Sequence, residues 1–219
     1  MTKNEVRNRI LDVGIIPVIR AQSVSQAMQA AEAVCKGDIP IVEITMTVPN
    51  AVEALRQLSR NMKPRLLVGA GTILHADTVE ECVEAGAEFI VTPGFSAEIV
   101  ARAKKLDKLV MAGALTPTEV MEAWNAGSDF VKIFPCGSVG GPKYIKALKA
   151  PFRNVPMIPT GGVNPGNAAD FLRAGADALG IGGELVSAVA LKAGDLSAIT
   201  AAAQQFLDIV RKTRSQRAA

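Results

Sequence analysis

Cysteine, histidine and aromatic residues are scarce in this sequence of 219 residues, which holds three cysteines, one histidine and 4% aromatics. The cysteines, Cys35, Cys82 and Cys136, are odd in number and far apart, so they indicate neither a disulfide framework nor a zinc knuckle. A reducing compartment fits this usage best. Because 49% of the residues are hydrophobic, the core must be mostly aliphatic, which is typical of helices packed on a parallel sheet.

Long apolar runs and a large excess of charge are also absent. The net charge of +3 is too small to indicate nucleic-acid binding. No run approaches the roughly eighteen apolar residues that a membrane-spanning helix needs. Residues 1–13 alternate charged and apolar side chains as an amphipathic helix does, without the apolar core of a signal peptide. We therefore expect a cytoplasmic protein that binds a small molecule rather than nucleic acid or a membrane.

A repeated phrase organises the chain. In each copy a helical stretch ends at glycine, a small or acidic residue follows, and a short apolar run begins: CKGDIPIVEIT at 35, EAGAEFIVTPG at 84, NAGSDFVKIFP at 125 and RAGADALGIGG at 173. Glycine adopts the left-handed conformation that ends a helix, and the apolar runs have the length of buried strands. Four further runs of this kind lie at 15–20, 65–72, 108–116 and 155–162.

Eight strands that alternate with helical segments predict an α/β fold, a (β/α)8 TIM barrel. We expect a single domain over residues 1–219 that includes an N-terminal helix. The structural alternative is a doubly wound open sheet. In a barrel the chemistry lies at the C-terminal ends of the strands. The candidates at these ends are Arg20, Glu43, Thr47, Thr72, Pro93, Lys132, Phe134, Thr160, Gly161, Gly162, Gly182 and Gly183.

Lys132 lies in the middle of DFVKIFP, a run that otherwise has the composition of a buried strand. Burial disfavours the charged ammonium and favours a neutral amine, which attacks a carbonyl to form a Schiff base. Glu43, in IVEIT, is the only carboxylate within a predicted strand core and could transfer the protons of such a reaction. The alternative is a purely structural Lys132–Glu43 ion pair, and both interpretations can hold together.

The late strands end in two glycine pairs, Gly161–Gly162 and Gly182–Gly183. Glycines there let backbone N–H groups at a helix N-terminus point outward, which is how these barrels bind phosphate. Glu184 follows directly and would repel phosphate if it faced the ligand, unless it caps its own helix. Arg20, at the end of the first strand, could clamp a carboxylate with its planar guanidinium, or it could form a salt bridge at the rim.

The chain resembles the 2-keto-3-deoxy-6-phosphogluconate (KDPG) and 4-hydroxy-2-oxoglutarate (KHG) aldolases, a class I aldolase family. The likeness extends over nearly the whole length, in matching order and spacing. It rests on PVIR, VEITMTVPNAVEAL, VGAGTIL, AGAEFIVTPGF, TPTEVMEAWNAG, FVKIFP, GGPKYIKALKAPF, IPTGGVNPGN and GIGGELV.

This resemblance implies a TIM barrel, usually a homotrimer, that needs no metal or organic cofactor. Its reaction is the reversible cleavage of KDPG to pyruvate and glyceraldehyde 3-phosphate, a step of the Entner–Doudoroff pathway, or of 4-hydroxy-2-oxoglutarate to pyruvate and glyoxylate. Lys132 would form the Schiff base with the C2 carbonyl, and Glu43 would be the acid/base. The other implied roles are pyruvate binding by Thr72 and Thr160, pocket walls from Pro93 and Phe134, and phosphate binding by Gly161, Gly162, Gly182 and Gly183.

Two positions depart from the family pattern. Several members carry a carboxylate-binding arginine four residues after the catalytic glutamate, where this chain has Thr47, so Arg20 is expected to supply the charge. Glu184 stands where many members have serine, which leaves 4-hydroxy-2-oxoglutarate and the galactonate isomer (KDPGal) as alternative substrates. The rivals from other classes are a phosphate-barrel isomerase or epimerase, in which Lys132 stays protonated, and a non-catalytic barrel that binds a sugar phosphate.

Overall fold

The computed structural model describes the backbone of residues 1–218 and the side chains of residues 1–216. These residues form eight strands: β1 Ile15–Ile19, β2 Ile41–Thr45, β3 Leu67–Gly71, β4 Phe89–Val91, β5 Leu109–Ala114, β6 Phe130–Ile133, β7 Met157–Pro159 and β8 Leu179–Ile181. The helices are α1 Lys3–Val13, α2 Val24–Lys36, α3 Ala51–Met62, α4 Asp77–Glu84, α5 Ala97–Lys105, α6 Pro117–Asn125, α7 Pro142–Lys149, α8 Ala168–Arg173, α9 Ala188–Ala193 and α10 Leu196–Ala218, with a 3-10 helix at Cys136–Val139. Among the described residues, no helix is both long enough and apolar enough to span a membrane.

All strand pairs are parallel, and the order β7-β6-β5-β4-β3-β2-β1-β8 follows the chain around a ring. An isolated parallel bridge between Thr160 and Gly180 joins the last two strands and closes the sheet. The predicted (β/α)8 barrel with an N-terminal helix is therefore confirmed, and the open-sheet alternative is wrong.

Strand residues alternate between the helix-facing layer and the barrel interior, as the two-residue period of a strand requires. On β6, for example, Val131 and Ile133 pack in the outer core, whereas Phe130 packs in a separate inner cluster. Helix α1 adds Val6 and Ile10 to that inner cluster, and both are buried. The N-terminal helix therefore covers one end of the barrel and seals its apolar interior.

Glycines replace larger residues at several inward positions of the barrel wall. A Cβ added to Gly69 would lie 2.1 Å from the Phe89 ring, and one added to Gly71 would lie 1.9 Å from Oε1 of Glu43. A Cβ on Gly180 would lie 2.1 Å from Oγ1 of Thr160. Real contacts are essentially never this short, so a side chain at any of these positions would displace its neighbour. The missing side chains create the space into which bulky and polar inward residues project.

We expect the substitution Ile10→Ala to lower the free energy of unfolding by about 2–5 kcal/mol, because it leaves a cavity at the sealed end of the barrel. The measurement is urea denaturation followed by circular dichroism. The matched control is Val189→Ala, at a side chain that is 79% exposed, which should change stability by no more than about 0.5 kcal/mol. Equal stability of the two variants would contradict the sealing role of α1.

Candidate active site

Lys132 on β6 and Glu43 on β2 meet inside the barrel. Nζ of Lys132 lies 3.7 Å from Oε1 of Glu43, and the side chains are only 6% and 2% exposed. Each is paired in the sheet with a glycine, Lys132 with Gly113 and Glu43 with Gly69. The ion pair that the sequence suggested is therefore present, and it joins two strands on opposite sides of the barrel.

The Glu43 carboxylate is incompletely satisfied. Its Oε1 atom is buried and has no hydrogen-bond partner among the described residues, and 3.7 Å is longer than a hydrogen bond. An unpartnered buried oxygen is costly and is rare in folded proteins. The Lys132 amine has a second neighbour, since its Nζ atom lies 5.6 Å from the centre of the Phe134 ring, whose face attracts a cation. The amine and the carboxylate oxygen thus face one another with unused bonding capacity.

The end of β3 is shaped around Glu43. Gly71 leaves room for the carboxylate, as its hypothetical Cβ shows. The next residue, Thr72, has φ +58°, a left-handed conformation that a β-branched residue rarely adopts. Such backbone strain clusters at ligand sites because the surrounding structure must enforce it. Thr72 therefore follows the strand end that leaves room for Glu43, in a strained backbone conformation.

Arg20 and the late-strand glycines line one cavity of about 110 Å³. Its walls are Arg20, Phe134, Thr160, Gly161, Gly162, Val163, Gly180, Gly182, Gly183 and Glu184. A Cβ on Gly182 would lie 3.0 Å from Nη1 of Arg20, so the guanidinium lies directly against this loop. Arg20 forms no ion pair with any described residue, and the rim salt bridge considered as its alternative role is therefore absent. Phe134 contributes to this cavity and to the surroundings of Lys132.

The helices that follow the glycine pairs begin some residues later in the chain. Helix α8 begins at Ala168 and α9 at Ala188, and each has only six residues. Gly161 and Gly162 instead lie in a loop, where their φ angles of +84° and +81° fall in the left-handed region. Gly137 donates its N–H to the Gly161 carbonyl at 2.8 Å. The loop after β6 thereby packs on the loop after β7 and holds it in place.

Glu184 does not cap α9. The cap is Ser187, whose side chain accepts a hydrogen bond from the Ala190 N–H. The Glu184 side chain is exposed and contributes to the cavity wall. Its carboxylate forms no ion pair or hydrogen bond with any described residue. The cavity therefore has one unpaired cation and one unpaired anion in its wall.

Two buried threonines at strand ends, Thr45 and Thr92, form hydrogen bonds that fix the rim of the site. Thr45 donates its hydroxyl to the Ile19 carbonyl at 3.1 Å, and its Oγ1 lies 2.7 Å from that of Thr47. These two hydrogen bonds link Thr47 to the end of β1, next to Arg20. Thr92 donates to the Gly94 carbonyl at 2.7 Å and accepts the Gly113 N–H at 2.9 Å.

Pro93 lies in the loop that Thr92 fixes. A Cβ on Gly113 would lie 2.3 Å from the carbonyl carbon of Pro93, and Gly113 is the sheet partner of Lys132. The backbone of Pro93 therefore packs against β5, the strand next to the one that bears the lysine. The buried hydroxyl at a strand end, directly before Pro93, is the sequence feature that could have indicated this anchoring role.

The described part of the chain offers no evident set of metal ligands. Among the side chains of residues 1–216, no group of three histidines, cysteines, aspartates or glutamates is arranged to hold an ion. Cys136, close to the site strand, is buried, and burial raises the pKa of its thiol to about 12. It is therefore a poor nucleophile, and Lys132 is the better candidate.

Comparisons with known proteins agree on the family of this chain. A family model described as KDPG and KHG aldolase matches residues 6–202. A KHG/KDPG aldolase from Escherichia coli K12 is 35% identical over 201 residues, which cover 91% of this chain and 93% of the relative.

Solved structures agree as well. A KDPG aldolase from Legionella pneumophila, with pyruvate captured as a covalent carbinolamine, has a TM-score of 0.84 at 31% identity and covers 90% of this chain and 96% of that one. A structure described as native KDPGal has a TM-score of 0.85 at 30% identity and covers 92% and 96%. The chain therefore belongs to the KDPG and KHG aldolase family and is a lyase.

Proposed function

We propose that this chain reversibly cleaves KDPG to pyruvate and glyceraldehyde 3-phosphate through a Schiff base on Lys132. The observation that carries the proposal is the buried Lys132–Glu43 contact, in which an amine and a carboxylate oxygen face each other at 3.7 Å. The Legionella pneumophila relative, in which pyruvate is held as a covalent carbinolamine, supports a covalent route. The dual name of the Escherichia coli relative supports a second activity on 4-hydroxy-2-oxoglutarate.

The covalent step begins when the Lys132 amine attacks the C2 carbonyl of the keto acid. The resulting carbinolamine takes up a proton on its hydroxyl and loses water, which leaves a protonated Schiff base. Glu43, directly or through a water, then accepts the proton of the C4 hydroxyl as the C3–C4 bond breaks. The electron pair of that bond becomes the enamine, and the aldehyde leaves. Protonation of C3 and hydrolysis release pyruvate and restore the amine.

The remaining candidates position the substrate around this pair. Thr72 and Thr160 would bind the pyruvate half, Pro93 and Phe134 would wall the pocket, and Thr47 would complete the rim near Arg20. Arg20 would bind an anionic group of the substrate, since its guanidinium is unpaired and lies in the cavity formed by Gly161, Gly162, Gly182 and Gly183. We expect these glycines to contact the phosphate. The homotrimer and the cytoplasmic location remain predictions.

The KDPGal substrate is the second candidate. A structure described as native KDPGal is 30% identical to this chain and covers 92% of it. The two sugar acids are stereoisomers that share the pyruvate half and the phosphate, so Lys132, Glu43 and the glycines serve both equally. Initial rates with each isomer, followed by coupled reduction of pyruvate, distinguish the two substrates.

We predict that Lys132→Met lowers turnover of KDPG by at least about 10⁴-fold, because it removes the nucleophile while keeping the side-chain length. The control is Lys146→Met, at an exposed position of α7, which should retain full activity. Circular dichroism checks that both variants are folded. Retained turnover in the folded Lys132 variant would rule out the Schiff base.

We predict that Glu43→Gln lowers kcat by about 10²–10⁴-fold with little change in KM, because the amide keeps the shape but cannot accept a proton. The same variant should stop the exchange of the pyruvate methyl protons with deuterated water, followed by NMR. Glu122→Gln, on the exposed side of α6, is the matched control. An unchanged kcat would leave Glu43 as a structural counter-ion only.

We predict that Arg20→Gln raises KM for the keto acid about tenfold to a hundredfold, since hydrogen bonds to charged groups contribute about 1.5–3 kcal/mol. Comparing pyruvate exchange with KDPG cleavage shows which anionic group is bound. Weaker binding of pyruvate itself assigns Arg20 to the carboxylate, and weaker binding of the phosphorylated substrate alone assigns it to the phosphate. The exposed Arg153→Gln serves as control. If neither KM changes, Arg20 has no binding role.

A further inference from the structure

The cavity beside the catalytic pair contains two opposite charges that do not neutralise each other. Arg20 and Glu184 both line a space of about 110 Å³. Neither forms an ion pair or a hydrogen bond with any described residue, and they do not pair with each other. Both side chains are exposed, so each charge is open to solvent and to a bound ligand.

Glycine fills most of the remaining wall. Gly161, Gly162, Gly180, Gly182 and Gly183 offer backbone groups without side chains. A Cβ at Gly183 would meet nothing within 4 Å, so this stretch of backbone faces open space. Among the described residues, Arg20 and Glu184 are thus the only charged side chains in the cavity wall, and they determine how a charged group is received there.

A phosphate monoester has a charge of about −1.5 to −2 at neutral pH. Arg20 attracts such a group and Glu184 repels it, so the two effects oppose each other. A hydroxyl group, by contrast, can donate to the Glu184 carboxylate and accept from the Arg20 guanidinium. The cavity therefore suits a neutral, hydroxyl-bearing end of a sugar acid better than an all-cationic or all-amide cavity would.

We propose that Glu184 is a specificity-determining residue that lowers the preference of this aldolase for phosphorylated over unphosphorylated 2-keto-3-deoxy sugar acids. The inference rests on the proposed function, because it concerns the group that the same site holds at the far end of the substrate. Glu184 acts through charge rather than size, since its side chain is exposed.

The experiment compares kcat/KM for KDPG and for the same sugar acid without its phosphate, 2-keto-3-deoxygluconate, in the unchanged protein and in Glu184→Gln. The amide has the same shape and no charge, so the ratio of the two constants should shift at least about tenfold toward the phosphorylated acid. The shift should shrink as salt is added, because charges near solvent are screened. Glu122→Gln, an exposed substitution on α6, should leave the ratio unchanged.

Borohydride trapping with pyruvate in both proteins separates the possible failures. Adduct formation in both, with the ratio unchanged in Glu184→Gln, overturns this inference and leaves the proposed function standing. No adduct in the unchanged protein overturns the proposed function and this inference with it. A shifted ratio with equal adduct yields supports the selectivity role.

Discussion

The structure depends on holding one amine and one carboxylate in the dry interior of a barrel. Moving each charge out of water costs several kcal/mol, and the mutual attraction of the pair offsets this only in part. At 3.7 Å, with one Glu43 oxygen unpartnered, the pair is not arranged for greatest stability. The stability of the fold must therefore come from the apolar layers around it. The pair is retained at a cost that a purely structural role would not explain.

The apolar packing that stabilises the fold and the polar site lie at different ends of the barrel. At one end, helix α1 inserts Val6 and Ile10 into an inner cluster of aliphatic and aromatic side chains. Nearer the C-terminal ends of the strands, inward positions such as Gly71 and Gly180 have no side chain, which makes room for Glu43 and Thr160. Rigid packing at the sealed end thus supports the polar, more open end.

Much of this arrangement follows from local sequence features. Two-residue alternation in FVKI places Lys132 inward, and glycines that end helices mark the strand starts, so the barrel and the inward positions of Lys132 and Glu43 are predictable. The distance between Lys132 and Glu43 cannot be predicted from local sequence, because it depends on the register and closure of all eight strands. The same holds for the unpaired Arg20, whose neighbour Gly182 lies on the last strand-to-helix loop. Local pattern also does not give the length of the loops after the glycine pairs, where the next helices begin five or six residues beyond the second glycine.

Borohydride reduction in the presence of pyruvate, followed by peptide mapping, tests the central claim most directly. If the Lys132 amine attacks the keto acid, reduction fixes the Schiff base as a stable adduct on the peptide that contains Lys132. Pyruvate that binds without any adduct would contradict this account. It would leave Lys132 as a protonated electrostatic residue, as in an isomerase of the same barrel fold.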